Sequence, residues 1–377
     1  MECRNLSRFL SIVFAFIMIL TTSAVEARVR FCKPELKYEF QLSDCFKELV
    51  IAINGTKTPG PSITAQLGDV LIFELKNSFL TENISIHWHG IQQIGNGKTW
   101  IDGRGGVSQC PQGKTFFYRF VVDKPQSYLY YAHYSMRYGS TRLSISEQAL
   151  VQDDYEMSII LDDWCTTDLA SKKSGPFVWV GEPKSLLYHG RARFNCSPTT
   201  DDISDICNRT KPEIYSPYLI TIIQGKTIRL RISSLTSLSV LNFEIQGHNT
   251  TVVEADGHFV EPLTVRNLNI YPDETYSVLV KADQDPSKNY WAASNVIGRE
   301  LATSTVLAIL NYYSNPNHQS PPTTPPADRL WNNFLESSHF GRNSLFLLFT
   351  LFYRQVYMQL SIIYRQVDIH FRIIFRN

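Results

Sequence analysis

The sequence predicts an all-β protein made of sandwich or barrel domains. Short runs rich in Val, Ile, Phe, Leu and Tyr recur along the chain and are separated by Gly, Pro and Asn, which is the pattern of strands joined by turns. Only 19% of the residues are charged and 12% are aromatic, which favours a β-rich exported protein over a cytosolic helical one. The 377 residues suffice for two or three domains, each with a core of its own.

A repeated pattern indicates how the strands are organised. The segments Gly-Asp-Val-Leu-Ile-Phe-Glu-Leu (68–75) and Gly-Lys-Thr-Ile-Arg-Leu-Arg-Ile (225–232) both place a glycine turn before a strand with alternating side chains. We therefore expect two similar domains, each with one of these strands near its beginning.

The amino terminus is typical of a secretory signal peptide. A basic start precedes a twelve-residue, mostly apolar run over residues 9–20, and Val25-Glu26-Ala27 offers a cleavage site with small residues. Ala24 offers a second site. The alternative is a membrane anchor, but this run is short for a bilayer span. We expect residues 1–27 to be removed and the protein to be secreted, to the extracellular space or cell wall.

Export gives meaning to the Asn-x-Ser/Thr triplets that follow the cleavage site. Five of them predict N-glycosylation of at least some members of the set Asn54, Asn83, Asn195, Asn208 and Asn249. The formal net charge is +1 without a basic stripe, so we expect no nucleic-acid partner. A membrane partner is also not expected.

The segment Ile-His-Trp-His-Gly (86–90) is the most informative local motif. Alternate side chains of a strand lie on the same face, so His87 and His89 are expected to project together while Trp88 points the other way. Two imidazoles so placed can bind one metal ion or two neighbouring ions. Imidazole suits copper, zinc, iron and nickel, so the pair alone does not identify the metal. An accidental pair on a half-exposed strand is the alternative.

Motifs downstream of this pair occur in a fixed order that resembles the ascorbate oxidase branch of the multicopper oxidases. The resemblance covers about residues 30–340. The motifs are Trp-Ile-Asp-Gly (100–103), Ser-Gln-Cys (108–110), Thr-Phe-Phe-Tyr-Arg-Phe (115–120), Tyr-Leu-Tyr-Tyr-Ala-His (128–133), Trp-Val-Gly-Glu-Pro (179–183), Val-Glu-Ala-Asp-Gly-His (253–258), Asn-Tyr-Trp (289–291) and Leu-Asn-Tyr (310–312).

The resemblance implies two cupredoxin-like Greek-key β-barrels, at residues 28–152 and 153–313. Residues 314–340 then form a linker rich in Pro, Ser and Thr that leads towards the family's third domain. At residue 341 the resemblance stops. We expect residues 341–377 to be an unrelated tail from aberrant translation, with an interfacial membrane segment as the alternative.

The resemblance also implies a copper enzyme that oxidises a small reductant, ascorbate or a phenol, and reduces dioxygen to water. In the family, His-x-His pairs from the first and third domains hold a trinuclear copper cluster. His87 matches its type 2 ligand, and His89 and His133 match type 3 ligands. Tyr131 stands where the family has another type 3 histidine, and a phenol is a poor replacement because it is mostly protonated at neutral pH.

Three further assignments follow from the same resemblance. Asp102 matches an acidic residue that assists proton delivery near the cluster. The alternative is that Asp102 is an ordinary turn residue, since aspartate is common in turns before a glycine. Trp179 matches a residue that lines the reductant pocket, with an exposed or repacked aromatic as the alternative. Cys196 and Cys207 match a disulfide-bonded pair. Cys45 and Cys110 lack the partners that the family gives them.

The blue type 1 copper of the family needs a cysteine between two histidines, and none of the seven cysteines of this chain has a histidine neighbour. The third-domain cluster ligands are absent as well. We therefore expect that the chain as written does not turn over, although by resemblance it is an oxidase. The alternative is a non-catalytic secreted protein with a cupredoxin-like fold that binds copper or a partner.

Overall fold

In the computed structural model, twenty strands form four sheets, and no helix occurs among the described residues. The structure describes residues 28–42, 47–55, 60–81, 83–89, 91, 110–123, 126–132, 140–145, 153–164, 183, 185–192, 217–236, 239–297, 303–315 and 321–326.

The first half of the described chain contains nine strands. They pack as a sheet of order β1-β5-β2-β3, with β7 also paired to β5, and a second sheet of order β4-β9-β8-β6. Their bounds are β1 Val29–Cys32, β2 Glu35–Leu42, β3 Lys47–Ile53, β4 Ile63–Ala65, β5 Val70–Asn77, β6 Ile86–His89, β7 Thr115–Val121, β8 Ser127–Ala132 and β9 Ser140–Ile145.

The second half of the described chain contains eleven strands, again in two sheets. One has the order β11-β10-β13-β18-β15-β16 and the other the order β12-β20-β19-β14-β17. Their bounds are β10 Tyr155–Trp164, β11 Ser185–Tyr188, β12 Tyr218–Ile222, β13 Thr227–Ser234, β14 Val240–Ile245, β15 Thr250–Ala255, β16 His258–Val265, β17 Asn267–Ile270, β18 Thr275–Lys281, β19 Tyr290–Ile297 and β20 Val306–Tyr312.

The two repeated glycine-strand segments occupy equivalent places in the two halves. Gly68 and Gly225 have φ values of 85° and 76°, a region that glycine enters without steric cost. The strand after each glycine, β5 or β13, pairs in parallel with the first strand of its half, β1 or β10. Each then pairs antiparallel on its other side, β5 with β7 and β13 with β18.

The all-β, two-barrel fold expected from the sequence is confirmed. Each half buries a separate apolar core between its two sheets, one around Phe73 and Trp88 and the other around Phe243 and Val278. The boundary at residue 152 stays a prediction, because residues 146–152 lie outside the described ranges. Within the described ranges, no helix is long and apolar enough to cross a membrane.

Candidate metal centre

Strand β6 places the two candidate ligands on one face of the first barrel. Trp88 is only 1% exposed and lies in the barrel core. In the antiparallel pairing of β6 with β8, His87 is opposite Tyr131 and His89 is opposite Leu129. Because directly opposed positions share a face of the sheet, this backbone register assigns positions 87 and 89 of β6 to the face of Tyr131 and Leu129.

Core packing explains why this face is well defined. The indole of Trp88 stacks on Tyr130 with a ring-centroid distance of 5.1 Å, and it meets the edges of Phe73 and Phe120 at 4.8 and 4.9 Å. The hydroxyl of Tyr118 accepts a hydrogen bond from the amide of Ile86 at 2.9 Å. A one-residue slip of β6 would exchange the indole for an imidazole in the core, so this packing fixes the register.

Tyr131 packs as an apolar residue where the family has a ligand. It is 6% exposed and belongs to a cluster with Leu129, Ile160 and Leu235, the last two of which come from the second barrel. Donor chemistry and the shared strand face of His87 and His89 fit copper. The phenol of Tyr131 does not fit as a copper ligand, because its ring fills a contact between the two barrels.

A buried polar network joins the two barrels beside this apolar cluster. Arg231, which is 5% exposed, donates from Nη1 to Ser127 Oγ of the first barrel at 2.6 Å. Glu254, which is 1% exposed, accepts from the amide of Ser127 at 2.7 Å and from Ser277 Oγ at 2.6 Å. The second carboxylate bound to Arg231, that of Glu156, lies 2.7 Å away and is 39% exposed.

The turn at Gly257 makes a second close contact between the barrels. A Cβ atom at this position would lie 3.2 Å from the ring of Tyr128 and 3.3 Å from Gln126 Oε1, and φ is +70°. His258 follows in the same turn, and its Nδ1 lies 2.8 Å from the carbonyl oxygen of Asp256.

Replacing Gly257 with alanine is expected to destabilise the protein by about 2 kcal/mol, because the new methyl group adds overpacking to the strain of a positive φ. Gly225→Ala is the matched control, since φ is +76° there but nothing lies within 4 Å of its added Cβ atom. Urea denaturation should show a loss at least about 1 kcal/mol greater for Gly257→Ala. Equal losses would contradict a contact at Gly257.

Several predicted site residues lie outside the described ranges and stay predictions. Among the described residues, no group of three or more His, Cys, Asp or Glu side chains is placed to hold a metal ion. For His87 the structure describes the backbone position in β6. The predicted residues outside the described ranges are Asp102, His133, Trp179, Cys196, Cys207, Asn195 and Asn208.

The predicted glycosylation sites within the described ranges differ in accessibility. Asn54 and Asn249 are exposed, whereas Asn83 is partly buried. Both described cysteines are free thiols, and burial raises the pKa of each of them. The thiol of Cys110 lies 3.2 Å from the carbonyl oxygen of Lys114.

Part of the predicted linker contacts the second barrel. Trp291 donates its indole N–H to the carbonyl oxygen of Thr323 at 2.9 Å, and the hydroxyl of Thr323 donates to Gln246 Oε1 at 2.7 Å. The composition of residues 314–340 predicted a linker and gave no sign of this contact. The local sequence also gives no sign that Glu254 and Arg231 belong to a buried network, because their partner Ser127 is distant in sequence.

Comparison with known proteins identifies the chain's relatives. Two family models described as multicopper oxidase match residues 36–145 and 156–315. The chain is 39% identical to an L-ascorbate oxidase of Brassica rapa subsp. pekinensis over 347 residues, which is 88% of the chain and 60% of that protein. It is also 39% identical to an L-ascorbate oxidase of Nicotiana tabacum, over 86% of the chain and 58% of that protein.

Solved structures agree with these relatives. A laccase from Botrytis aclada is 28% identical and superposes with a TM-score of 0.67, covering 80% of the chain and 56% of the laccase. The chain thus spans about 60% of the length of the curated relatives that it matches. Together the two family models match more than half of the sequence. The chain therefore belongs to the multicopper oxidase family.

Proposed function

We propose that the chain is part of a secreted multicopper oxidase of the L-ascorbate oxidase type, which oxidises ascorbate or a phenol and reduces dioxygen to water. The observation that carries the proposal is the shared face of His87 and His89 on β6, in a chain 39% identical to L-ascorbate oxidases. Copper is the cofactor of this family. When bound, it supplies the one-electron acceptor and the place where oxygen is reduced.

The residues of this chain have separate roles in the proposed centre. His87, His89 and His133 would bind copper, and Asp102 would hold or deliver a proton beside it. Tyr131 would not bind copper, because it packs against Ile160 and Leu235 between the barrels. Trp179 would contact the organic reductant.

Direct copper titration tests the binding part of this proposal. We expect His89→Ala to weaken copper binding by the secreted protein by at least about 10- to 100-fold, because this much is already lost when a group that only orients a metal ligand is removed. His258→Ala is the matched control, since this exposed histidine contacts the carbonyl oxygen of Asp256. Isothermal titration calorimetry measures both affinities. An unchanged copper affinity in His89→Ala would show that this face of β6 does not contribute to the copper site.

Oxygen consumption tests the activity. The 377-residue polypeptide should hold at most one copper ion, show no blue absorption and consume no oxygen with ascorbate, because it lacks a cysteine flanked by histidines. Fusing residues 28–340 to the remaining part of the Brassica rapa relative should restore the blue copper and slow oxygen uptake. Copper loading without any oxygen uptake in the fusion would overturn the oxidase proposal.

A further inference from the structure

A buried carboxylate holds the main chain where β1 begins. Asp69 is 0% exposed, and its Oδ1 accepts a hydrogen bond from the amide of Arg28 at 2.9 Å. Its Oδ2 accepts from Arg30 Nε at 2.9 Å and from the amide of Gln66 at 3.0 Å. The carbonyl of Arg28 in turn accepts from the amide of Val70 at 2.8 Å. The backbone of Arg28 is thus fixed on both sides of its Cα atom.

This environment suits a positive charge at the nitrogen of Arg28. The Gln66 amide, the Arg28 amide and the Arg30 guanidinium keep the pKa of Asp69 below its usual value, so the carboxylate is ionised at neutral pH. A carboxylate that is hydrogen-bonded to an ionised donor makes a shorter and stronger bond than it makes to a neutral amide. The sequence places a predicted cleavage site directly before this residue, after Ala27.

We propose that the secreted protein begins at Arg28 and that its new terminal ammonium forms an ion pair with Asp69. Hydrolysis breaks the C–N bond between Ala27 and Arg28 and consumes one water molecule. Ala27 leaves with a carboxylate, and the freed amine of Arg28 takes up a proton. Removal of the leader would then strengthen the β1–β5 edge of the first barrel. The inference is independent of copper binding.

Cleavage at the alternative site would give a different result. If cleavage occurs after Ala24, Val25, Glu26 and Ala27 remain attached. The nitrogen of Arg28 then stays a neutral amide, and the terminal charge lies on Val25. Amino-terminal sequencing of the secreted protein distinguishes these cases. We expect Arg28 as the first residue, whereas a chain that begins at Val25 or at any other residue would overturn the proposal.

Thermal unfolding tests the ion pair itself. Protein that begins at Arg28 should unfold about 1–2 °C above protein that keeps Val25, Glu26 and Ala27, which corresponds to about 1 kcal/mol for a chain of this size. In the Asp69→Asn background the difference should vanish. Equal midpoints for the two forms with Asp69 intact would overturn the proposal.

The pH dependence separates a terminal charge from a steric effect of the extra residues. An ammonium near a carboxylate has a raised pKa, so its stabilisation is complete below its unfolded pKa of about 8 and is lost as pH rises through the folded value. The other charged groups beside this nitrogen are the guanidinium of Arg28 itself and that of Arg30, whose Nε donates to the Asp69 carboxylate.

If Asp69→Asn fails to fold, chemical modification replaces it. Carbamylation of the amino terminus removes the charge of the terminal ammonium, and it leaves Asp69 and the guanidinium of Arg28 unchanged. It should lower the unfolding midpoint of the Arg28 form to that of the extended form. An unchanged midpoint after complete carbamylation would contradict the ion pair.

Discussion

Replacing Glu254 with alanine is expected to lower the free energy of unfolding by about 3 kcal/mol. Glu254 is 1% exposed and accepts hydrogen bonds from Ser127 and Ser277, and its Oε2 lies 3.4 Å from Arg231 Nη1. Removing one member of a buried ion pair leaves an uncompensated charge, at a cost of about 3–5 kcal/mol. The expected loss lies at the lower end because Glu156 still pairs with Arg231.

Glu156→Ala is the matched control for this prediction. Both carboxylates pair with the same guanidinium, but that of Glu156 is 39% exposed and water can replace it. Its removal is expected to cost less than about 1 kcal/mol. Urea denaturation followed by tryptophan fluorescence measures both variants. Similar losses would mean that burial of Glu254 does not decide the strength of the network.

The network also predicts a change in cooperativity. Ser127 belongs to the first barrel, whereas Arg231, Glu254 and Ser277 belong to the second, so these bonds couple the two folding units. Without Glu254 we expect the two barrels to unfold in separate steps, seen as a broadened transition or two transitions in calorimetry. A single sharp transition at a lower temperature would indicate that the apolar cluster around Tyr131 is enough to couple them.

Local patterns in the sequence predicted most of the fold. Alternation of apolar residues and glycine turns predicted β5 and β13, because both signals act over a few residues. The same period of two placed His87 and His89 on one face and Trp88 in the core, as the pairing of β6 with β8 confirms for the backbone. Sequence also indicated that Tyr131 is a poor replacement for a histidine ligand, but it did not predict the apolar cluster that this residue forms with Ile160 and Leu235.

The contacts between the barrels could not be predicted from sequence in the same way. Ser127 and Glu254 are 127 residues apart, and nothing near either of them signals the other. Arg231 occupies an alternating strand where a charged residue reads as solvent-facing, yet it is 5% exposed because the other barrel covers it. Burial of such a charge depends on partners supplied by distant strands, which only the assembled fold brings together.

Replacing Trp88 with alanine is expected to cost about 4 kcal/mol, the range for removing a large buried aromatic. Trp88 is 1% exposed and contacts the rings of Phe73, Phe120 and Tyr130. Within the described part of the chain its indole N–H has no hydrogen-bond partner, so packing accounts for its contribution. Trp88→Phe keeps an aromatic ring and should cost only about 1–2 kcal/mol.

Copper binding links this packing residue to the candidate site. Because Trp88 lies between His87 and His89 and holds the register of β6, its loss should loosen the two histidines without removing either imidazole. We expect Trp88→Ala to weaken copper binding at temperatures where the protein is still folded, and Trp88→Phe to preserve it. Circular dichroism establishes the folded fraction and calorimetric titration measures the affinity. Unchanged copper affinity in folded Trp88→Ala would show that the strand pairing of β6 with β8 alone orients the histidine pair.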